Sequence, residues 1–277
     1  MSLTILLPVK NYHPVFLHEA VQSVFQQTSP DWKLMVLVER RDQAHFSQLL
    51  KAALQDGRVT LRTSEGRRLG GALNTGMLRA DTTFVAILLG DDRWADNAVG
   101  VLNRAVATLP RVDFFHSSRV FIDGDGRALS GVHHSIPQVD ASSFETGSPV
   151  KHLLCWRRSM GLAVGGMDES HSHGPDDFDF PWTMAQAGAV FHALDEPLYQ
   201  YRDHREAYRL TTHVPLASQK WALRRIMKKH GMARERIRAR VQEAEATYLR
   251  QSLFSTEADR RQRAGCDARQ GWRDVYQ

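Results

Sequence analysis

Short apolar runs at residues 3–9, 34–38, 59–61 and 84–89 alternate with helix-period segments, and that alternation leaves few folds open. Each run is too short for a helix. Between them Leu17, Ala20, Val21, Val24 and Phe25 recur at the spacing of one helical face. Phe46, Leu49, Leu50, Ala53 and Leu54 do so again, then Ala72, Leu73, Gly76, Met77 and Ala80, then Ala98, Val99, Leu102, Ala105, Val106 and Leu109. Strands that are apolar along their whole length are covered on both faces, and helices between them make right-handed crossovers joining parallel neighbours. The expectation is an open α/β sheet, Rossmann-like and mostly parallel, with ligands at the carboxyl ends of its strands. Those ends fall at residues 8–11, 39–42 and 90–94.

After residue 111 the pattern changes. Residues 112–115 and 119–122 read as strands, and Asp123-Gly124-Asp125-Gly126 as a turn leading into 128–132. A loop rich in Ser, Pro and His follows over 133–149. Next come an apolar run at 153–156, a Gly165-Gly166 turn, an acidic helix start at 176–179 and a strand at 190–194. This is α+β material laid onto the first half. From about residue 214 the chain reads as amphipathic helices. The organisation expected is 1–111, 112–213 and a C-terminal 214–277.

Charge divides along the same line. The net charge of +5 comes mainly from one stretch, where Lys220, Arg224, Arg225, Lys228, Lys229, Arg234, Arg236, Arg238 and Arg240 crowd together. Such a stretch suits phosphates, nucleic acid or an anionic membrane surface. Nucleic acid is set aside, because Trp221 is the one stacking platform nearby and no recognition motif accompanies it. The apolar positions Leu223, Ile226, Met227, Ile237 and Val241 fit helices that cover the main domain and keep their charges in water. Peripheral contact with anionic lipid is the sharper alternative. No apolar run approaches the roughly 20 residues of a membrane helix, and the opening residues read as a strand rather than a signal peptide. Cys155 and Cys266 have no metal or redox spacing, which fits free thiols in a reducing cytoplasm.

Two acidic clusters carry the chemistry. Asp91-Asp92 sits at the mouth of the 84–89 strand. Two carboxylates there repel each other unless a cation or hydrogen-bond donors offset the charge. Oxygen ligands of this kind suit Mg²⁺ or Mn²⁺, while a helix N-cap is the plainer reading. Asp176-Asp177-Phe178-Asp179 opens another helix, where acids complement the dipole, although three exceed what capping needs. The histidines at 133–134 and 171–173 have no zinc spacing. Gly71-Ala72-Leu73-Asn74-Thr75-Gly76 lacks the Lys-Ser/Thr of a P-loop, and Asp123–Gly126 lacks the remaining ligands of an EF-hand.

Taken together in chain order, these pieces resemble the inverting family-two glycosyltransferases of the GT-A fold, over roughly residues 3–204. Leu3-Thr4-Ile5-Leu6-Leu7-Pro8-Val9-Lys10-Asn11 resembles the family's first strand and its Pro-x-x-Asn turn. Ala20-Val21-Gln22-Ser23-Val24-Phe25-Gln26-Gln27-Thr28 is similar to its first helix, and Leu34–Glu39 to its second strand. Gly71–Gly76 resembles the Ala-x-Asn-x-Gly helix, and Ile87–Trp94 the Asp-x-Asp-Asp segment. Gly165-Gly166-Met167-Asp168-Glu169, followed by Gly174–Asp179, is similar to the acceptor-side block.

The resemblance implies a nucleotide-sugar-binding half at 1–111, an acceptor half at 112–213, and transfer of a sugar from a nucleotide-diphosphate donor to a glycan or lipid-linked acceptor. Pro8, Val9, Asn11, Glu39, Arg68, Asn74, Asp91 and Asp92 would lie on the donor side, with Glu39 accepting from the nucleobase and Arg68 facing the diphosphate. Asp91 would bind Mg²⁺ or Mn²⁺, with His204 as a further metal or phosphate contact. Asp177 would be the general base, with Gly165, Gly166, Asp176 and Asp179 shaping the acceptor side. Two departures stand out. Leu89 occupies the position of the first Asp in the Asp-x-Asp pattern, and Arg40-Arg41 follows Glu39. Leu89 keeps open a second reading, a catalytically silent relative that binds nucleotide sugars or serves as a scaffold.

Overall fold

The computed structural model describes residues 3–171, 174–204 and 216–248. The chain divides into two compact units, Met1–Arg202 and Asp203–Gln277.

In the first unit the alternating pattern becomes β1 (Leu3–Pro8), α1 (Pro14–Phe25), β2 (Trp32–Val38), α2 (Gln43–Leu49), β3 (Val59–Thr63), α3 (Arg68–Arg79), β4 (Phe84–Ile87), β5 (Arg93–Trp94) and α4 (Ala98–Thr108). The second half of the unit follows as β6 (Phe114–Ile122), β7 (Leu154–Arg157), α5 (Arg158–Ala163), a π-helical turn (Pro175–Asp179), α6 (Phe180–Gln186) and β8 (Phe191–Arg202). All eight strands form one sheet in the order β3-β2-β1-β4-β7-β6-β8-β5. The pairs β1/β2, β1/β4, β2/β3 and β6/β8 are parallel, and β4/β7, β6/β7 and β5/β8 antiparallel.

The strands expected to be covered on both faces are so: Ile5, Leu6, Leu7, Leu34, Val36, Val85, Ala86 and Ile87 are all buried. Gly76 lets α3 lie close on this sheet. A Cβ there would stand 2.7 Å from Leu6 Cδ2 and 2.9 Å from Leu37 Cδ1, inside van der Waals contact.

The second half departs from expectation in three places. The two strands expected at 112–115 and 119–122 are one strand, β6, and the strand expected at 190–194 runs on to Arg202. The acidic segment is a π-helical turn leading into α6 rather than the start of an α-helix. The turn at Asp123–Gly126 does fold back, through bridges Ile122↔Ala128 and Arg119↔His133.

The sheet order also forces a curl. Four inter-strand steps separate β4 from β5, about 19 Å in a flat sheet. The link from Ile87 to Arg93 would cover that only if almost fully extended, yet it turns, with the Asp92 amide donating to the Leu89 carbonyl at 3.2 Å. The sheet therefore bends until β8 and β5 approach the end of β4.

His116, on β6, is fully buried, and burial, with Lys151 and His192 nearby, pushes its pKa down to about 4. The unfolded chain takes up the proton near pH 6.5, so the native state loses stability as pH falls from 6.5 toward 4. His116→Leu should remove that slope, gaining about 2–3 kcal/mol on wild type between pH 6.5 and 4.5 in urea unfolding. Parallel stability–pH curves for the two proteins would contradict the assignment.

In the second unit, α7 (Leu216–Lys229) and α8 (Arg234–Tyr248) pack on each other. Ala222, Ile226, Met227 and Val241 are buried, while Arg224, Lys228, Arg234 and Arg238 are exposed. No helix among the described residues is long and apolar enough to cross a membrane. The boundary expected at 213/214, and Cys266, lie outside the described residues. Cys155 is buried in the core, and burial pushes its thiol pKa well up.

Candidate functional site

The carboxyl ends of β1, β2 and β4 lie side by side. After β1, the Val9 amide donates to Leu37 at the end of β2, at 2.8 Å. This seats Pro8 and Val9 next to Glu39, while Asn11 is exposed. The Glu39 carboxylate pairs with Lys10 Nζ at 2.8 Å and Arg41 Nη2 at 3.0 Å. The departure Arg40-Arg41 thus supplies a direct partner for Glu39. Tyr12, which carried no signal in the sequence, lies with its ring 5.0 Å from that of Phe46 on α2, at a tilted angle.

Past β4 the two aspartates separate in role. Asp92 is buried. Its Oδ2 accepts from the Tyr199 hydroxyl at 2.7 Å and its Oδ1 from the Arg202 amide at 2.7 Å. Burial first, then the charge of Asp91, push its pKa up to about 7, against the opposing effect of those two donors. Both Asp92 oxygens are thus tied to β8. Asp91 is half-buried, and Arg202 Nε fixes its backbone carbonyl at 2.8 Å. Leu89 offers no carboxylate, but its amide donates to the Tyr199 hydroxyl at 3.2 Å. One hydroxyl thus ties together the β4 end, Asp92 and β8.

The second acidic cluster reaches the same region through His152, a lone histidine with no motif around it. His152 and Asp176 are both buried, with Nε2 3.0 Å from Asp176 Oδ2. Burial alone would lower the imidazole pKa. The hydrogen bond that His152 donates to Asp176 and the charges of Asp176 and Asp177 outweigh it and raise the value. On its other side the His152 ring lies 5.3 Å from the Tyr199 ring. The path Asp92–Tyr199–His152–Asp176 therefore joins the two clusters, which are some 85 positions apart in the chain. Of the three acids in the π-helical turn, Asp176 and Asp179 are buried and Asp177 is half-buried. Ser148 donates to the Asp177 carbonyl.

Several of the expected site residues also make contacts between segments. Asn74 receives the Met167 amide on its Oδ1 at 2.8 Å, and its Nδ2 donates to the Met167 carbonyl at 2.9 Å and to Glu169 Oε1 at 3.2 Å. It clasps α3 to the 167–169 loop. Arg68 donates to the carbonyls of Glu169 and Ser170 in that same loop, at 3.3 and 2.9 Å. Its φ of +57° is costly for a residue with a Cβ and is held by these tethers. Gly165 and Gly166 have φ of +86° and +74°, and a Cβ on Gly166 would stand 2.5 Å from Asn74 Oδ1. The glycines make the turn that allows the clasp. His204 opens the second unit and is a buried imidazole there.

The arrangement pairs a half-exposed carboxylate at a strand mouth with a second in a linked turn, beside the ends of parallel strands. The sequence profile of Glycosyl transferase family 2 matches residues 4–158. The chain belongs to this family. A 204-residue stretch, 73% of this glycosyltransferase-family chain, is 24% identical to the O-antigen biosynthesis protein RfbC of Myxococcus xanthus. A 96-residue stretch is 34% identical to the succinoglycan biosynthesis protein ExoW of Rhizobium meliloti, covering 34% of the chain. The chain spans 16% and 30% of the lengths of these two relatives. Among solved structures, S. aureus TarS 1-349 in complex with UDP-GlcNAc superposes with a TM-score of 0.65 at 16% identity, covering 88% of this chain and 71% of that one. The mannosyltransferase PcManGT of Pyrobaculum calidifontis, in complex with GDP-Man and Mn²⁺, gives 0.58 at 16% identity, covering 95% and 72%. The family-2 chain thus has the GT-A fold.

Proposed function

We propose that the chain transfers a sugar from a nucleotide-diphosphate donor to an acceptor hydroxyl with inversion, as a step in building a surface polysaccharide. The observation carrying this reading is the link through Tyr199 and His152, which brings the Asp91 mouth and the Asp177 turn to one site. Asp177 takes the proton of the acceptor hydroxyl as its oxygen attacks the anomeric carbon. The bond to the diphosphate breaks on the opposite face, and the nucleoside diphosphate carries away the electron pair. Asp176 is held by His152 and supports the turn.

The residues present fit Mg²⁺ or Mn²⁺. Such ions bind through one or two carboxylates plus substrate phosphates, and Asp91 is a half-exposed carboxylate whose backbone is fixed. When bound, the cation neutralises the departing diphosphate as a Lewis acid. The chain's own part is to hold Asp91 rigid with Arg202 and to keep Asp92 out of reach. Glu39, with Lys10 and Arg41, lines the nucleobase end.

A thermal-shift screen of nucleoside diphosphates and their sugars, with and without Mn²⁺, tests this reading. Ligand at 100 times Kd adds about 2.7 kcal/mol of apparent stability, and the shift should depend on Mn²⁺ and vanish in Asp91→Asn. No shift with any of the nucleotides would refute donor binding. Donor hydrolysis with Mn²⁺ separates an enzyme from the silent binder that Leu89 leaves open.

The relatives' roles in O-antigen and succinoglycan biosynthesis support a glycan or lipid-linked acceptor. Within the second unit a groove of about 460 Å³ between α7 and α8 is lined by Lys220, Arg224, Lys228, Arg234 and Arg238. This basic groove supports peripheral contact with an anionic lipid surface, at the cytoplasmic face of the membrane. Replacing Arg224, Lys228 and Arg238 with Gln should abolish co-sedimentation with phosphatidylglycerol vesicles at low salt. Wild-type protein that stays in the supernatant would end the lipid reading.

A further inference from the structure

Asp168, His171 and Asp179 each turn one ligand atom to a common point, with all three atoms within 4.8 Å of one another. His171 and Asp179 are fully buried, and Asp168 is 28% exposed. Nε2 of His171 lies 3.3 Å from Asp168 Oδ2 and 3.5 Å from Asp179 Oδ2.

These distances are long for hydrogen bonds between charged groups, which run about 2.7–2.9 Å. A single ring nitrogen also carries at most one proton, so it cannot serve both oxygens well. The two separations from Nε2 do match the edge of a tetrahedron. Bonds of about 2.0–2.2 Å from a zinc-type cation to His nitrogen and carboxylate oxygen place neighbouring ligand atoms about 3.3–3.6 Å apart. Charge points the same way, since two carboxylates crowded around a buried imidazole are neutralised by one divalent ion.

The surroundings orient the set. The other oxygen of Asp168 accepts from the Ser170 amide at 2.9 Å and from the Ser170 hydroxyl, which turns Oδ2 toward His171. Fixing a ligating carboxylate through its second oxygen is how outer groups hold metal ligands. The Asp179 amide donates to the Gly174 carbonyl at 2.9 Å, closing the π-helical turn.

We infer that Asp168, His171 and Asp179 form a binding site for a zinc-type divalent cation, separate from the Asp91 site, that staples the 168–171 loop to the turn carrying Asp177. Three protein ligands leave the fourth position to a solvent molecule on the Asp168 side. Mixed imidazole and carboxylate ligands favour Zn²⁺ or Co²⁺ over Mg²⁺. The inference does not rest on sugar transfer and stands or falls without it.

The test is Co²⁺ titration of the metal-stripped full chain, read by the intense visible absorption of tetrahedral Co²⁺. Wild type and Asp91→Asn should each take up one such ion, and Zn²⁺ should displace it. His171→Gln and Asp168→Asn, checked for folding by circular dichroism, should lose the band and bind Co²⁺ at least tenfold more weakly. If His171→Gln does not fold, Asp168→Asn decides, because its side chain is partly exposed. A wild type without the band marks a plain imidazole–carboxylate bridge and overturns the site. So does a band that survives in a folded variant, or one that disappears in Asp91→Asn.

Discussion

Asp177→Asn should cut sugar transfer by about 10²–10⁴, the usual contribution of a positioned general base, while leaving donor affinity within about twofold. The turn supplies three carboxylates, and their surroundings divide the work. Asp176 is buried against His152, and Asp179 is buried beneath the turn. Asp177 alone of the three is half-buried, with its backbone carbonyl held by Ser148. Asn keeps the shape and cannot take a proton. Release of nucleoside diphosphate, measured together with donor binding by calorimetry, separates chemistry from affinity. Wild-type turnover in this variant would remove Asp177 as the base.

The largest effect on stability is expected at Arg202→Met, about 3–5 kcal/mol of destabilisation in urea unfolding. This guanidinium is fully buried. Its Nη1 donates at 2.9 Å to the carbonyls of both Asp123 and Gly124, Nη2 pairs with Glu19, and Nε reaches the Asp91 carbonyl at 2.8 Å. It also lies 4.4 Å over the Phe16 ring. Methionine fills the stem and leaves a carboxylate and three carbonyls to find other donors. Lysine should rescue little, because one ammonium cannot reproduce the planar fork. Donor binding should weaken along with stability, since Arg202 fixes the backbone of Asp91. A loss below 1 kcal/mol would show that water takes over these contacts.

The first half of the fold was legible because its physics is simple. Strands covered on both faces read as unbroken apolar runs, and the helices between them repeat every three or four residues. The second half hides its longest strands behind polar residues. Ser117 and Ser118 interrupt β6 in the sequence, yet both are buried and bonded, Ser117 Oγ to the Leu153 amide at 3.2 Å and Ser118 Oγ to the Ser135 amide at 3.0 Å. Asp195-Glu196-Pro197 looks like the end of a strand, but register shifts near Ser117–Arg119 absorb it and β8 continues. β5 has two residues and no readable pattern.

At the site, the strand ends and the family resemblance named the segments to inspect but not what each side chain does there. Asp91 and Asp92 are alike in sequence, and only the Tyr199 and Arg202 donors set them apart. Asn74 carries the motif of a ligand contact and works as a clasp. His152 was invisible because a single histidine acquires meaning from what it faces. His171 belonged to a histidine-rich stretch without zinc spacing, since its partners at 168 and 179 are aspartates on either side of a turn.

The link between Leu89 and Tyr199 explains how position 89 can lack a carboxylate without disturbing the architecture. The fold draws on the peptide group at 89, which any residue but proline possesses. Mutational drift at that position is therefore decoupled from folding, and chemistry alone limits it. A lineage could exchange acid for aliphatic there and back again with no rebuilding of the frame.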